Sequence, residues 1–294
     1  MIERIILGDW GTSSCRLHLL EHGHIRDGVN GPGIVHTDNP RQTYETLVSR
    51  WEGLHGPLPA LLCGTVGANL GWVDAGYVSV PARITDFHER RVRTEREGVA
   101  ILPGIMTDAN AYGRPDVMRS EEMQVFGYLA QTHTTDAHLC LPGSHSKWAK
   151  VKNSAITNFT SAATGEVFAA IRAQTLIAPT RDDGVGSPKL STAFQDGVDL
   201  AFENTNLLAA IFSIRADAAL NRLSLADSRD RLSGLLIGSE CNHMLQLGPP
   251  PNAIVGAPGI STAYQGALAR LGHTIPTHDG QDAVLAGLRQ AAGL

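Results

Sequence analysis

Gly8-Asp9-Trp10-Gly11-Thr12-Ser13-Ser14 stands between two apolar stretches at the start of the chain and constrains its fold more than any other segment. Ile5-Ile6-Leu7 reads as a buried strand. Cys15, Leu17 and Leu19 alternate with Arg16, His18 and Glu21, as they would along a half-exposed second strand. The loop joining them suits polyphosphate: glycine lets backbone approach an anion, Thr12, Ser13 and Ser14 supply hydroxyl and amide donors, and Asp9 can hold a divalent cation. The same residues also suit an ordinary hairpin, since Asp-x-Gly is common turn chemistry.

The chain has 294 residues, room for two domains of ordinary size. With 43% hydrophobic and 18% charged residues it can bury a sizeable core and is not of disordered composition. The 24 Lys and Arg against 29 Asp and Glu give a net charge of -5. That balance argues against a nucleic-acid-coating or membrane-surface role, both of which want a clustered positive field. Cys15, Cys63, Cys140 and Cys241 are scattered and never form C-x-x-C, which points to buried thiols in a reducing cytosol. No charged-then-apolar leader opens the chain, and no apolar run approaches the ~18 residues of a membrane span. The expected location is cytoplasmic.

Strands are expected at 3–8, 14–21 and 24–29 and a helix at 41–53. The run Ala60-Leu61-Leu62-Cys63 then ends in Gly64-Thr65-Val66-Gly67. A glycine loop at a strand's carboxyl end is where open α/β sheets bind ligands. A further strand is expected at 99–102. The polar, Gly- and Pro-bearing stretch 105–117 is read as a boundary between lobes 1–110 and 111–294. The second half repeats the opening theme: Leu139-Cys140-Leu141, the loop Pro142-Gly143-Ser144-His145-Ser146-Lys147, a returning strand Trp148–Val151 and a third at 155–160. The repeat is one of architecture, not of sequence. Helices are expected at 165–177, 191–203, 205–213, 228–246 and 260–271, with a mobile loop over Pro179–Pro188. Ala253–Gly256 reads as a strand, and the last helix, 281–292, is expected to pack back on the first lobe.

Neither a Walker A loop nor G-x-G-x-x-G is present, so any ATP would be cradled by separated loops. Asp9-x-Gly11-Thr12, Gly143-x-His145-x-Lys147 and Gly256-Ala257-Pro258-Gly259 resemble the two phosphate loops and the adenosine loop of the actin, sugar kinase and Hsp70 superfamily. Within it, several segments resemble the 2-dehydro-3-deoxygalactonokinase family. They are Gly8–Thr12, Val66-Gly67-Ala68-Asn69-Leu70-Gly71-Trp72, Ser79–Ala82, Met118-Arg119-Ser120-Glu121-Glu122, Leu141–Trp148, Thr164-Gly165-Glu166 and Ser233–Gly238. The resemblance runs from residue 5 to near 290 in order. It departs at Ser120, where the family pattern more often has Gly, and at Ser144 and Ser146, where it has Thr and Cys. It implies a two-domain α/β fold of the actin-like ATPase (ribonuclease H-like) type, with an ATP cleft between lobes, and a kinase using ATP and Mg²⁺.

On that reading Asp9 coordinates Mg²⁺ or, alternatively, only caps its turn. Thr12 and Ser13 donate to the transferred phosphoryl group, and the Gly143 and Ser144 amides face the β-phosphate. His145 is a phosphate donor or a plain loop histidine, and Lys147 reaches the substrate carboxylate or is solvated. Glu121 and Glu122 open a helix, where acids are common for dipole reasons alone. Glu121 is the preferred general base, with Glu122 and Asp9 as rivals and Glu166 as a holder of a metal-bound water. Asn69, Trp72 and Arg119 are the expected sugar-acid contacts, each with a structural reading beside it. Gly256, Ala257, Pro258 and Gly259, with Ser233-Gly234, are expected around adenine, although Gly234 equally suits helix packing.

The expected reaction is phosphorylation of 2-dehydro-3-deoxy-D-galactonate on its terminal hydroxyl, in galactonate breakdown. The alternatives are a kinase for another 2-keto-3-deoxy sugar acid, or an exopolyphosphatase-like hydrolase, which should carry a long basic channel. A nucleotide-regulated binding protein of actin or Hsp70 type needs extra subdomains for which 294 residues leave little room. The expected partner is a small molecule, not nucleic acid or membrane, with a homodimer as one possible assembly.

Overall fold

The computed structural model describes residues 3–179, 190–203 and 206–294. The chain divides into two compact units, the first holding the chain up to Asp136 with Lys150–Phe159 and Gly280–Leu294, the second Ala137–Ala149 and Thr160–Asp279.

In the first unit, β1 (Arg4–Trp10), β2 (Ser14–Glu21) and β3 (His24–Pro32) form an antiparallel meander. β1 is buried along most of its length, whereas burial along β2 largely alternates, as befits a central strand beside a more exposed one. α1 (Pro40–His55) begins where the Asn39 side chain accepts the Gln42 amide and Pro40 takes the first helical position. It buries Tyr44, Val48 and Trp51 against Trp10, Leu17 and Leu62. β4 (Ala60–Cys63) then pairs parallel with β1. After β5 (Tyr77–Ser79), α2 (Ile84–Glu89), β6 (Val92–Arg93) and β7 (Val99–Ile101), the six-stranded sheet has the order β3-β2-β1-β4-β7-β6.

β8 (Gly104–Thr107) and β9 (Asp116–Met118) join β5 in a three-stranded sheet. This corrects the reading of 105–117 as a polar boundary. Ile105 and Met118 are buried partners across the β8–β9 pair, and the Gly- and Pro-bearing residues form only its connecting loop. α3 (Glu121–Thr132) follows, still in the first unit, and packs along α9 (Gly280–Ala292).

The second unit contains β10 (Ala137–Leu141), β11 (Ser146–Lys152) and β12 (Ala155–Ala162), with the residues 150–159 of the last two counted in the first unit. α4 (Thr164–Gln174), α5 (Thr192–Phe202), α6 (Leu207–Ala219) and α7 (Leu225–Leu247) come next, then β13 (Ala253–Gly256), α8 (Pro258–Arg270) and β14 (Thr277–Asp279). The sheet order β12-β11-β10-β13-β14 repeats β3-β2-β1-β4-β7 of the first unit. This duplicated α/β arrangement is the actin-like ATPase fold that the resemblance implied. Residues 180–188 of the expected mobile loop lie outside the described residues. Among the described residues, no helix is long and apolar enough to cross a membrane.

Candidate active site

Pairing places Asp9 near the end of β1, opposite Arg16 on β2 and beside Cys63 on β4. Its side chain is 18% exposed. Oδ1 accepts the Ser120 hydroxyl at 2.6 Å and lies 3.9 Å from the Cys63 thiol, while Arg16 Nη1 stands 3.9 Å from Oδ2. Burial raises the Asp9 pKa above the usual carboxylate range, and the Ser120 hydrogen bond and the Arg16 charge pull against it.

The Gly11 amide closes the hairpin by donating to Ser14 O at 2.9 Å, so it holds the turn. Gly11 O and Thr12 O accept the Ile34 and Val35 amides, which brace the loop from behind. Thr12 and Ser13 are exposed, and their own amides have no acceptor among the described residues. The Thr12 and Thr65 hydroxyls lie 3.0 Å apart. One edge of the sheet therefore offers a carboxylate, two open amides and several hydroxyls within a single hairpin, a donor set suited to an anion accompanied by a cation.

Magnesium takes one or two carboxylates plus phosphate and water oxygens, so a lone, partly exposed Asp9 fits it without a protein cage. A separate grouping of metal-type donors, Glu3, Glu21 and His22, lies at the opposite end of the β1–β2 hairpin. Glu21 there already accepts Arg4 and Arg26.

The two acids at the start of α3 stand in different surroundings. Glu121 is half-buried, and its Oε2 accepts the Arg119 amide at 3.0 Å. Glu122 is fully buried; Oε1 accepts the Ser120 amide at 3.0 Å, and Oε2 has no partner among the described residues. Burial, and then the charge of Glu121, push the Glu122 pKa up to about 8. Glu122, the expected rival base, is sealed from solvent, and the half-buried Glu121 is the better placed of the two to meet a substrate hydroxyl. Because the unfolded chain ionises Glu122 near its ordinary value, folding is penalised progressively as pH rises from that value through about 8. Glu122→Gln keeps an acceptor for the Ser120 amide. We expect it to raise the melting temperature more at pH 8 than at pH 5; an equal change at both would show that Glu122 is charged in the folded protein.

Of the expected sugar-acid contacts, Asn69 is exposed on the loop after β4. Trp72 is half-buried on the same loop. Its indole N–H donates to the Glu95 carboxylate at 2.9 Å, and its ring packs on Tyr44 with centroids 5.4 Å apart, so it braces that loop against the core. Arg119 donates from Nη2 to Gly76 O at 3.1 Å and lies 4.4 Å over the Tyr77 ring. Its Nη1 is buried without a hydrogen-bond partner among the described residues and is packed against Gly67, where an added Cβ would lie 3.1 Å from it.

In the second unit, Gly143, Ser144 and His145 are exposed on the loop joining β10 to β11. A Cβ on Gly165 would fall 2.6 Å from Gly143 O, so the first turn of α4 sits directly against this loop. His145 Nε2 lies 2.6 Å from Glu166 Oε2, which pairs the loop histidine with the first turn of α4. Lys147 is buried and donates to the Ser161 hydroxyl at 2.8 Å, which rules out the solvated reading.

Beside the loop lies a cavity of about 130 Å³ walled by Gly143, Thr164, Gly165, Phe168, Ser233, Leu236, Ile237, Ile260 and Tyr264. It is apolar with a few hydroxyls, the lining a flat heteroaromatic base requires. Gly234 is not on its wall. A Cβ there would meet Phe194 O at 2.0 Å, so this glycine serves the crossing of α7 over α5. Gly256, Ala257 and Gly259 form the turn into α8 just before the cavity residue Ile260; Gly256 is buried and Ala257 exposed.

Sequence reasoning missed Glu240, which organises this region. Its Oε1 accepts Ser146 Oγ at 2.7 Å and Trp148 Nε1 at 2.8 Å, and its Oε2 accepts Tyr264 Oη at 2.7 Å and Thr164 Oγ1. One carboxylate thus ties β11, α4, α7 and α8 around the cavity. A signal existed: Glu240 falls on the same buried stripe of α7 as Ser233, Ile237 and Met244.

The family model for 2-keto-3-deoxy-galactonokinase matches residues 9–291. The chain is 33% identical to the probable 2-dehydro-3-deoxygalactonokinase DgoK1 of Rhizobium meliloti (strain 1021), covering 97% of this chain and 95% of that one. It is 28% identical to the 2-dehydro-3-deoxygalactonokinase of Escherichia coli (strain K12), over 99% and 98% of the two chains. A crystal structure of a protein from Sinorhizobium meliloti assigned to the same activity superposes with a TM-score of 0.87 at 31% identity, over 98% of each chain.

Proposed function

Since the chain belongs to the 2-keto-3-deoxy-galactonokinase family, we propose that it transfers the terminal phosphoryl group of ATP to the 6-hydroxyl of 2-dehydro-3-deoxy-D-galactonate. The observation that carries the reading is the family match along nearly the whole chain. The Asp9 hairpin supports it with the donor set that phosphoryl chemistry needs. An exopolyphosphatase-like hydrolase has no comparable support, and the kinase reading replaces it.

Glu121, half-buried at the head of α3, receives the proton of the acceptor hydroxyl as its oxygen bonds to phosphorus and the bond to the departing ADP breaks. Thr12 and Ser13 donate to the transferring group from the β1–β2 loop. Asp9 would hold Mg²⁺, which supplies charge neutralisation on the phosphate oxygens. Gly143 and Ser144 line the β-phosphate, and the apolar cavity walled by Phe168, Leu236 and Ile260 takes the adenine. Arg119, over the Tyr77 ring, and Asn69, exposed on the loop after β4, orient the sugar acid. The four cysteines are buried free thiols, which suits a reducing cytosol.

An ATP-consumption panel tests the acceptor. Turnover is expected with 2-dehydro-3-deoxygalactonate, and none with plain hexoses. Consumption on hexoses alone, or cleavage of polyphosphate in place of sugar-acid turnover, would contradict the reading.

A further inference from the structure

Ser120 joins β9 to α3 with φ +96° and ψ -39°, a backbone conformation that side-chain-bearing residues adopt only under constraint. It is buried, at 9% exposure. Glu122 Oε1 takes its amide at 3.0 Å, and its hydroxyl lies 2.6 Å from Asp9 Oδ1 and 3.6 Å from the Cys63 thiol. Three separate parts of the first unit therefore meet at one side chain: the end of β1, the end of β4 and the head of α3. A turn of this shape needs no hydroxyl, and glycine would make it without strain. The serine keeps an unfavourable backbone and spends its one donor on the carboxylate beside the phosphate hairpin.

We propose that Ser120 is a positioning residue, whose hydroxyl holds the Asp9 carboxylate in a single orientation at a cost in backbone strain. The inference rests on the kinase reading only for its catalytic consequence; the orientation of Asp9 is a property of the protein without nucleotide or metal. Two substitutions separate the hydroxyl from the backbone. Ser120→Ala removes the hydroxyl and keeps the strain, whereas Ser120→Gly removes both.

In EDTA, Ser120→Gly should melt about 2–4 °C above Ser120→Ala, because only glycine relieves the backbone. If the hydroxyl positions Asp9, both variants lose kcat by about 10–100-fold despite their opposite order in stability, as expected for losing a hydrogen bond to a charged group. KM for the sugar acid should stay within about twofold of wild type. A Ser120→Gly enzyme as active as wild type would show that Ser120 only shapes the turn, and would overturn the proposal.

Crystal structures of both variants, free of metal and nucleotide, supply the readout that needs no turnover. Asp9 turned away or split over rotamers in both is the expected result. Asp9 unmoved in both overturns the proposal even if the protein proves not to phosphorylate sugar acids, while wild type inactive with a displaced Asp9 in the variants would sink the kinase reading alone.

Discussion

Asp9→Asn should lower kcat by about 10²–10⁴-fold while leaving the protein folded, a combination that few substitutions in this chain can produce. Asparagine retains an oxygen to accept the Ser120 hydroxyl, which lies 2.6 Å from Oδ1, so the local hydrogen bond survives. What disappears is a negative charge that is expensive to bury, since burial already raises the Asp9 pKa. The melting temperature should therefore hold or rise, and the magnesium concentration needed for half-maximal rate should climb. A variant with near-normal kcat and an unchanged magnesium requirement would remove Asp9 from the chemistry and return it to capping a turn.

Glu121→Gln is the second large effect, again about 10²–10⁴-fold in kcat with little change in KM for ATP. In wild type, deprotonation of the base should appear as an acid limb in the pH profile of kcat, and the glutamine variant should lose that limb. Glu122→Gln is the control. Its parent is sealed in the core with a pKa of about 8, so its removal should be read mainly in stability, with far less loss of rate. If Glu122→Gln matched the loss of Glu121→Gln, the division of labour between the two neighbours would be wrong. If Glu121→Gln stayed within tenfold of wild type while Asp9→Asn collapsed, Asp9 would be the base.

Elements whose chemistry is local are legible in the amino-acid sequence. β4 over Ala60–Cys63 and β13 over Ala253–Gly256 are short apolar runs closed by glycine, and β2 announces itself by alternation. The two strand–loop–strand units stand out for the same reason, and they carry the repeated sheet order. β8 and β9 are hidden because each has only a few residues and the loop joining them holds Gly113 and Pro115, which dominate a reading by composition.

Small residues are ambiguous in kind. Gly234 looks the same in sequence whether it admits a base or another helix, and only the 2.0 Å approach of Phe194 O decides. Adjacent identical acids are equally opaque: Glu121 and Glu122 differ in the face of α3 they occupy, and that face depends on where the helix starts. The features that organise both units are long-range. Ser120 meets Asp9 across 111 positions, and Glu240 meets Ser146 and Trp148 across 94 and 92. No local pattern announces such partners. A charged residue on a buried stripe, as Glu240 is on α7, shows only that some partner must exist.

Phosphorus NMR of the product formed from ATP and 2-dehydro-3-deoxy-D-galactonate tests the proposed transfer at its centre. A new phosphomonoester coupled to the C6 methylene protons, in equal amount to the ADP released, is the predicted result. ADP accompanied only by inorganic phosphate, or a phosphoryl group on another hydroxyl, would contradict it.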